Sequence, residues 1–377
     1  SIDELAENDI IIALEYIPNI NILTIVTKCG LLIWWENMPD GDFSIKAETE
    51  NTSDAIVWNS DLSIFALSTG GGYVYLWDSH FASDNFVSLI QLDTDITTEY
   101  ESQSVGWGQK KTQFIGRGMK YSNACEQEIN KIAKTCDDRT IISWRHDSQY
   151  LAISFSEASS GERKIGIWSQ KGVLYSTAEN CGVLCPVLSW IPTGCWITSA
   201  IKVDNGYDII HFERNGLKRC SFSLSNLLSN DDLIDIQWNS SSNILAVFLR
   251  NNVTSRVQLY TMGNFHWYLK HEYVLPESSI FAYSFIRESD IVFLSEFSIW
   301  NCKFRSTFDL APNPGLNTCT VSVIDGDYLY ITPFGAVCIP PPLSLCCCKL
   351  PFVTECVIIN PEINENCYEV ASFNKLS

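Results

Sequence analysis

Apolar residues along the chain fall into short runs, many alternating with polar residues and bounded by Asn, Asp, Gly, Pro and Ser, with almost no extended 3.6-residue period. This is strand and turn chemistry, and it predicts a nearly all-β protein. Four runs repeat one pattern of an aromatic, a short polar turn and an apolar strand: AIVWNSDLSIFALS, IISWRHDSQYLAISF, VLSWIPTGCWITSA and DIQWNSSSNILAVFL. Their anchors are Trp58, Trp144, Trp190 and Trp238. The first interval is about twice the others, and Trp107 in SVGWGQKKTQFIG falls inside it, which turns the steps into 49, 37, 46 and 48 residues. Tyr16 precedes the series, and Phe285 and Val323 extend it with steps of 42, 47 and 38. A further unit at Ile359 fits only with two extra residues.

Each unit carries a second apolar-aromatic strand downstream of its anchor, including LLIWWE, YVYLWD, KIGIWS, DIIHFE and RVQLYT. A period of about 40–45 residues holding four short strands is the signature of a WD40-type blade. Trp77-Asp78 is a literal instance of the dipeptide, but the usual Gly-His pair is missing throughout, so the expected propeller is a divergent one. One four-stranded blade cannot bury its own faces, so neighbours must stack with bulky aromatics between them. The tryptophans are therefore read as core.

The 377 residues are 46% hydrophobic and 18% charged, enough to build a large core, which excludes disorder. No run of 18 apolar residues exists, so no membrane-spanning helix is expected, and the opening residues lack a signal-peptide pattern. A net charge of −19 repels phosphate backbones and makes nucleic acid a poor direct partner. Fifteen scattered cysteines, three of them adjacent at Cys346, Cys347 and Cys348, do not form a disulfide framework. They point to a reducing, intracellular compartment, where the sequons at Asn51, Asn239 and Asn252 are polar turn residues.

The chemistry is largely negative. His80, His146, His211, His266 and His271 have no metal or relay spacing, and His146, Asp147 and Ser143 lie within one strand-turn, too close in sequence to converge as a triad. Gly70-Gly71-Gly72 is a hairpin turn, opening no helix that could cradle phosphate. Cys181 and Cys185 lack the second pair a zinc site needs. No catalytic residue, metal or cofactor is expected.

SVGWGQKKTQFIG, ISWRHDSQYLAISF, RKIGIWSQKGVLYSTAE, LSWIPTGCWITS, DIIHFERNGL, WNSSSNILAVFL and VQLYTMGNFHWYLK resemble, in order and spacing, the amino-terminal region of the Elongator complex protein 1 family. SVIDGDYLYIT and IPPP continue the resemblance, while residues 1–100 match mainly in blade pattern. It implies a scaffold subunit with two tandem propellers. The complex it implies modifies wobble uridines (U34) of tRNA, and the chemistry belongs to another, radical S-adenosylmethionine and acetyltransferase subunit. A second propeller subunit is also among the implied partners, and tRNA is engaged only through the whole complex.

On this reading residues 1–276 form a first propeller of about seven blades, whose first blade is expected upstream of residue 1, and 277–377 begin a second. A single eight-bladed ring is the alternative count. The expected role is a non-catalytic scaffold, cytoplasmic with a nuclear pool allowed, and not membrane-bound. A generic WD-repeat adaptor in trafficking or coat assembly is the other reading, and a propeller enzyme is disfavoured by the poverty of histidine. Partner contacts are sought where ring packing does not demand the residue: Lys110 and Lys111, Arg163 and Lys164, and Phe265, His266 and Trp267. These combine charge with aromatic area, the usual composition of interface hot spots.

Overall fold

The computed structural model describes residues 9–18, 20–36, 40–49, 51–78, 86–92, 138–228, 230–275, 280, 282–295, 298–304, 320–359 and 370–373. Among these there is no helix, and none therefore long and apolar enough to cross a membrane. The all-β expectation holds.

Five four-stranded antiparallel meanders follow one another. The first holds β1 (Ile11–Ile17), β2 (Ile22–Thr27), β3 (Leu31–Glu36) and β4 (Phe43–Glu48). The second holds β5 (Ser53–Trp58), β6 (Ile64–Thr69), β7 (Tyr73–Asp78) and β8 (Phe86–Gln91). The third holds β9 (Ile141–Trp144), β10 (Tyr150–Ser156), β11 (Arg163–Ser169) and β12 (Leu174–Thr177). The fourth holds β13 (Ser189–Trp190), β14 (Ile197–Val203), β15 (Gly206–Phe212) and β16 (Lys218–Ser223). The fifth holds β17 (Asp232–Trp238), β18 (Leu245–Arg250), β19 (Ser255–Gly263) and β20 (His266–Leu275). Shorter sheets follow: β21 (Ala282–Arg287), β22 (Asp290–Leu294) and β23 (Ile299–Lys303); β24 (Thr320–Asp325), β25 (Tyr328–Pro333) and β26 (Cys346–Lys349); and the pair β27 (Cys356–Ile359) and β28 (Val370–Phe373).

The two aromatic signals of each unit are one row across a blade. Trp58 stands opposite Phe65, which stands opposite Trp77; Trp144, Leu151 and Trp168 repeat the row, as do Trp190, Ile197 and Phe212, and Trp238, Leu245 and Tyr260. In blades two to five a register shift falls immediately before the third-strand aromatic, bending the outer strand at the same place each time. The polar turn after the anchor has its own logic. The Asn59 Oδ1 accepts the backbone N–H groups of Ser63 and Ile64 at 3.0 and 3.1 Å, and Asn239 does the same for Asn243 and Ile244 at 3.0 Å each. Asn239 is buried, and its Nδ2 donates to Ser241 Oγ and Asn243 Oδ1 within the turn and to Glu288 O beyond it.

Second strands read as unbroken apolar runs because both sheet faces are covered. In β18, Leu245, Val247 and Leu249 join a core shared with blades three and four, while Ala246 and Phe248 join a second core with Tyr283, Ile291 and Phe293 of the following sheet. Blades one and two share Ile17, Val26, Leu32, Trp58, Phe65 and Leu67 in the same way. Successive sheets thus stack face to face, first strand beside first strand, as propeller blades do.

The Trp144 indole donates to Val57 O at 3.0 Å and β5 packs on β9, so the Trp58 and Trp144 blades are direct neighbours. Trp107 and the unit anchored on it fall within 93–137, outside the described residues. The expected ring junction near residue 276 lies outside the described residues; beside it, Ile280, Tyr283, Ile291 and Phe293 pack in one core with Ala246 and Phe248 of β18.

Candidate interaction surface

Two of the motifs among the described residues, HFERNGL and MGNFHWYLK, are contacts between blades. In HFERNGL, Gly216 has φ +85°, and a Cβ there would stand 1.9 Å from Thr177 O of the preceding blade. Its carbonyl accepts Glu179 N at 2.8 Å, Ser176 Oγ donates to Arg214 O at 2.7 Å, and the Arg214 guanidinium lies 5.0 Å from the Tyr150 and Tyr175 ring centres. The turn clamps blade four to blade three.

MGNFHWYLK is the β19–β20 hairpin, and it grips the DGDYLY turn more than fifty residues away. Asp325 Oδ1 accepts Leu269 N at 2.9 Å, and its Oδ2 lies 2.9 Å from His266 Nε2. Lys270 Nζ donates to Ile324 O at 2.8 Å, Gly326 N to Leu269 O at 2.8 Å, and Asn264 Nδ2 to Pro341 O in the IPPP segment at 2.7 Å. Burial lowers the Lys270 ammonium pKa and the Asp325 carboxylate opposes that. Phe222, Tyr260, Trp267, Tyr328 and Tyr330 line a groove of about 340 Å³ beside this clasp, with Phe265 and His266 at its lip.

The predicted contact residues therefore fall into different environments. Trp267 is core: it stacks on His211 and Phe222 with ring centres 5.1 and 4.6 Å apart. Arg163 is only 7% exposed, and its Nη1 donates to Arg139 O at 2.9 Å and Ser154 Oγ at 3.2 Å. Lys164 is half-buried and paired with Glu157. His266 is half-buried against Asp325. Phe265 is 94% exposed, at the end of a two-residue turn where both Asn264 and Phe265 take positive φ, +50° and +61°. Lys110 and Lys111 lie outside the described residues. Sequence reasoning missed Asp325, whose Asp-Gly-Asp turn was legible but whose partner was not.

The remaining chemistry stays structural. His211 is buried; its Nδ1 lies 3.0 Å from Thr198 Oγ1, which also accepts the Trp238 indole N–H at 2.9 Å. The threonine hydroxyl can then donate to a neutral ring, and desolvation lowers the His211 pKa to about 3. The unfolded chain takes up this proton below about pH 6.5, whereas the folded one resists it. Stability contributed here is therefore full above that pH and falls by up to about 1.4 kcal/mol per unit as the pH drops toward 3. Urea midpoints between about pH 4 and 7 are expected to show this loss, and His211→Gln, which retains a partner for Thr198 without an ionisable ring, is expected to flatten it. An unchanged slope in His211→Gln would assign the acid sensitivity elsewhere.

His146 is exposed in its turn, and Ser143 Oγ is engaged by Trp190 N at 2.8 Å, so the two have separate roles. Burial raises the Cys185 thiol pKa to about 12, the behaviour of an inert core thiol. Among the described residues no cluster of three or more His, Cys, Asp or Glu could hold a metal ion.

A family model described as the ELP1 first N-terminal beta-propeller matches residues 1–286. Elongator complex protein 1 of Schizosaccharomyces pombe is 31% identical over 335 residues, covering 85% of this chain and 26% of that relative. The mouse protein of that name is 29% identical over 343 residues, with 85% and 25% covered, and that of Saccharomyces cerevisiae 28% over 341, with 79% and 24% covered. The chain spans about a quarter of the length of these curated relatives.

Proposed function

The chain belongs to the Elongator complex protein 1 family, and from that premise we propose that it is a non-catalytic scaffold region whose blade surfaces position other Elongator subunits. The observation that carries this reading is Phe265: a bulky aromatic side chain held almost wholly in solvent at positive φ, on a hairpin fixed by Asp325, Lys270 and Asn264. Strain and exposure at one rigid point have no folding benefit, and they suit an interface anchor. Lys164 and the Lys110/Lys111 pair are the charged contacts of the same proposal, whereas Trp267 and Arg163 serve it by holding the blades. The partners would include the catalytic subunit and a second propeller subunit, and the chain would act in the cytoplasm.

A generic WD-repeat adaptor is the second reading. The motif-specific clamps at Gly216 and Asp325 disfavour it, because a generic blade needs neither. Capture of the other Elongator subunits by the purified chain is the direct test, with Phe265 variants and charge reversal at Lys110 and Lys111 as its arms. Undiminished capture by all of them would remove these residues from the interface.

In this proposal tRNA is modified by the complex and is held by other parts of it. With a net charge of −19, the chain alone is expected to bind tRNA weakly. Binding in the micromolar range or tighter at about 150 mM salt, abolished by neutralising basic residues of this chain, would show that a local patch overcomes the global field.

A further inference from the structure

The groove of about 340 Å³ beside the hairpin clasp combines aromatic rings with one carboxylate. Tyr328 and Tyr330, two apart on β25, present the same face of that strand to it, and Phe222 and Trp267 line it from blades four and five. Asp325 lies among them with its side chain only 13% exposed. A carboxylate offers about four acceptor positions. Oδ1 uses one on Leu269 N and Oδ2 one on His266 Nε2, each at 2.9 Å. A nearly dry carboxylate thus keeps acceptor capacity for a further donor, next to aromatic faces.

The Asp325 charge is felt across the groove. Burial is the main cause that raises the phenol pKa values of Tyr260, Tyr268 and Tyr330, and the Asp325 charge raises all three further. The chain's own cations already rest on tyrosine faces around it: Lys270 Nζ lies 4.5 Å from the Tyr268 ring centre and Lys349 Nζ 5.3 Å from that of Tyr328. Lys270 is committed to Ile324 O and Lys349 to Asp327 at 3.5 Å. We propose that the groove seats an arginine side chain of a partner protein, its guanidinium on the tyrosine faces and its N–H fork on Asp325. This rests on the scaffold reading above, in which a partner docks at the Phe265 hairpin. Arginine fits better than lysine, because a planar, weakly hydrated guanidinium stacks on rings while donating two parallel bonds to a carboxylate, whereas an ammonium is compact and strongly hydrated. The volume is at the small end of ligand pockets, about 300–1,000 Å³, which suits one side chain. The net charge of −19 steers a basic partner to the same surface.

The test titrates an acetylated, amidated Gly-Gly-Arg-Gly-Gly peptide into the whole chain and follows the indole N–H resonance of Trp267. A dissociation constant in the millimolar range is expected for a single side chain, about tenfold tighter than that of the same peptide carrying citrulline, which is neutral and of nearly the same shape. The lysine peptide should bind several-fold more weakly than the arginine one. Tyr330→Leu, and Asp325→Asn, which keeps an acceptor for Leu269 N, should each weaken the arginine peptide by about tenfold. No shift at about 20 mM peptide, equal binding of the arginine and citrulline peptides, lysine binding as tightly as arginine, or full binding in both variants would each overturn the proposal. The comparison of arginine with citrulline in the unmutated chain decides the matter even if a variant folds poorly. Because the peptide needs no Elongator subunit, the two readings fail separately. Peptide binding together with capture indifferent to Phe265 would keep the arginine site and remove the scaffold contact, whereas capture lost in Phe265→Gly with no peptide shift would keep that contact and remove the arginine site.

Discussion

Replacing Arg256 by Met is expected to destabilise the fold by about 3–5 kcal/mol, measured by chemical denaturation at neutral pH. Arg256 on β19 is buried with two carboxylates. Its Nη2 pairs with Asp231 and its Nη1 lies 2.8 Å from Glu272 Oε1, while Nη1 also donates to Asn226 O at 2.9 Å. Asp231 further accepts Asn251 Nδ2 at 3.0 Å and Leu228 N at 2.7 Å, and Glu272 accepts Gln258 Nε2 at 3.0 Å and Asn226 Nδ2 at 2.8 Å. Burial raises the Glu272 carboxyl pKa, and the guanidinium is the largest of the influences that oppose it. The Met stem fills much of the arginine volume, so the loss would come mainly from two buried carboxylates left without a cation. Adding Asp231→Asn and Glu272→Gln to Arg256→Met should therefore recover a large part of it. A cost below about 1 kcal/mol would mean that water already solvates the network. These residues tie the segment between blades four and five to the base of the β19–β20 hairpin, so the network also sets where the Phe265 tip stands.

Phe265→Gly is expected to move stability and capture in opposite directions. A phenylalanine at φ +61° is strained, and glycine is the residue a two-residue turn of this hand prefers, so the fold should gain up to about 1 kcal/mol. Loss of the exposed ring should weaken capture of Elongator subunits by about 30-fold or more, the effect of removing about 2 kcal/mol at a hot spot. Phe265→Asp should weaken capture equally without the gain in stability. A merely structural phenylalanine would lose stability on becoming glycine, and an irrelevant one would leave capture intact.

The blade pattern was legible because its causes are local. Trp58, Trp144, Trp190 and Trp238 stand seven residues before their cross-strand neighbours Phe65, Leu151, Ile197 and Leu245, with a turn of fixed chemistry between. That short-range regularity was enough to predict the hairpins, the all-β class and the coreward tryptophans. Spacing in sequence does not record which sheets stack; the bond from Trp144 to Val57 does.

The site divides along the same line. Composition and motif alone singled out Phe265, and its exposure follows from a two-residue turn that can be read locally. The fate of its neighbours depended on the fold: Trp267 enters a core with His211 and Phe222, Arg163 is drawn inward to Ser154, and His266 meets Asp325 fifty-nine residues on. What the sequence determined by itself was the strand period and turn chemistry, since these depend on residues within about ten positions of one another. What only the tertiary structure decided was which faces meet and which charges are buried together. Those depend on the twist and stacking of sheets, which bring together residues that no local pattern connects.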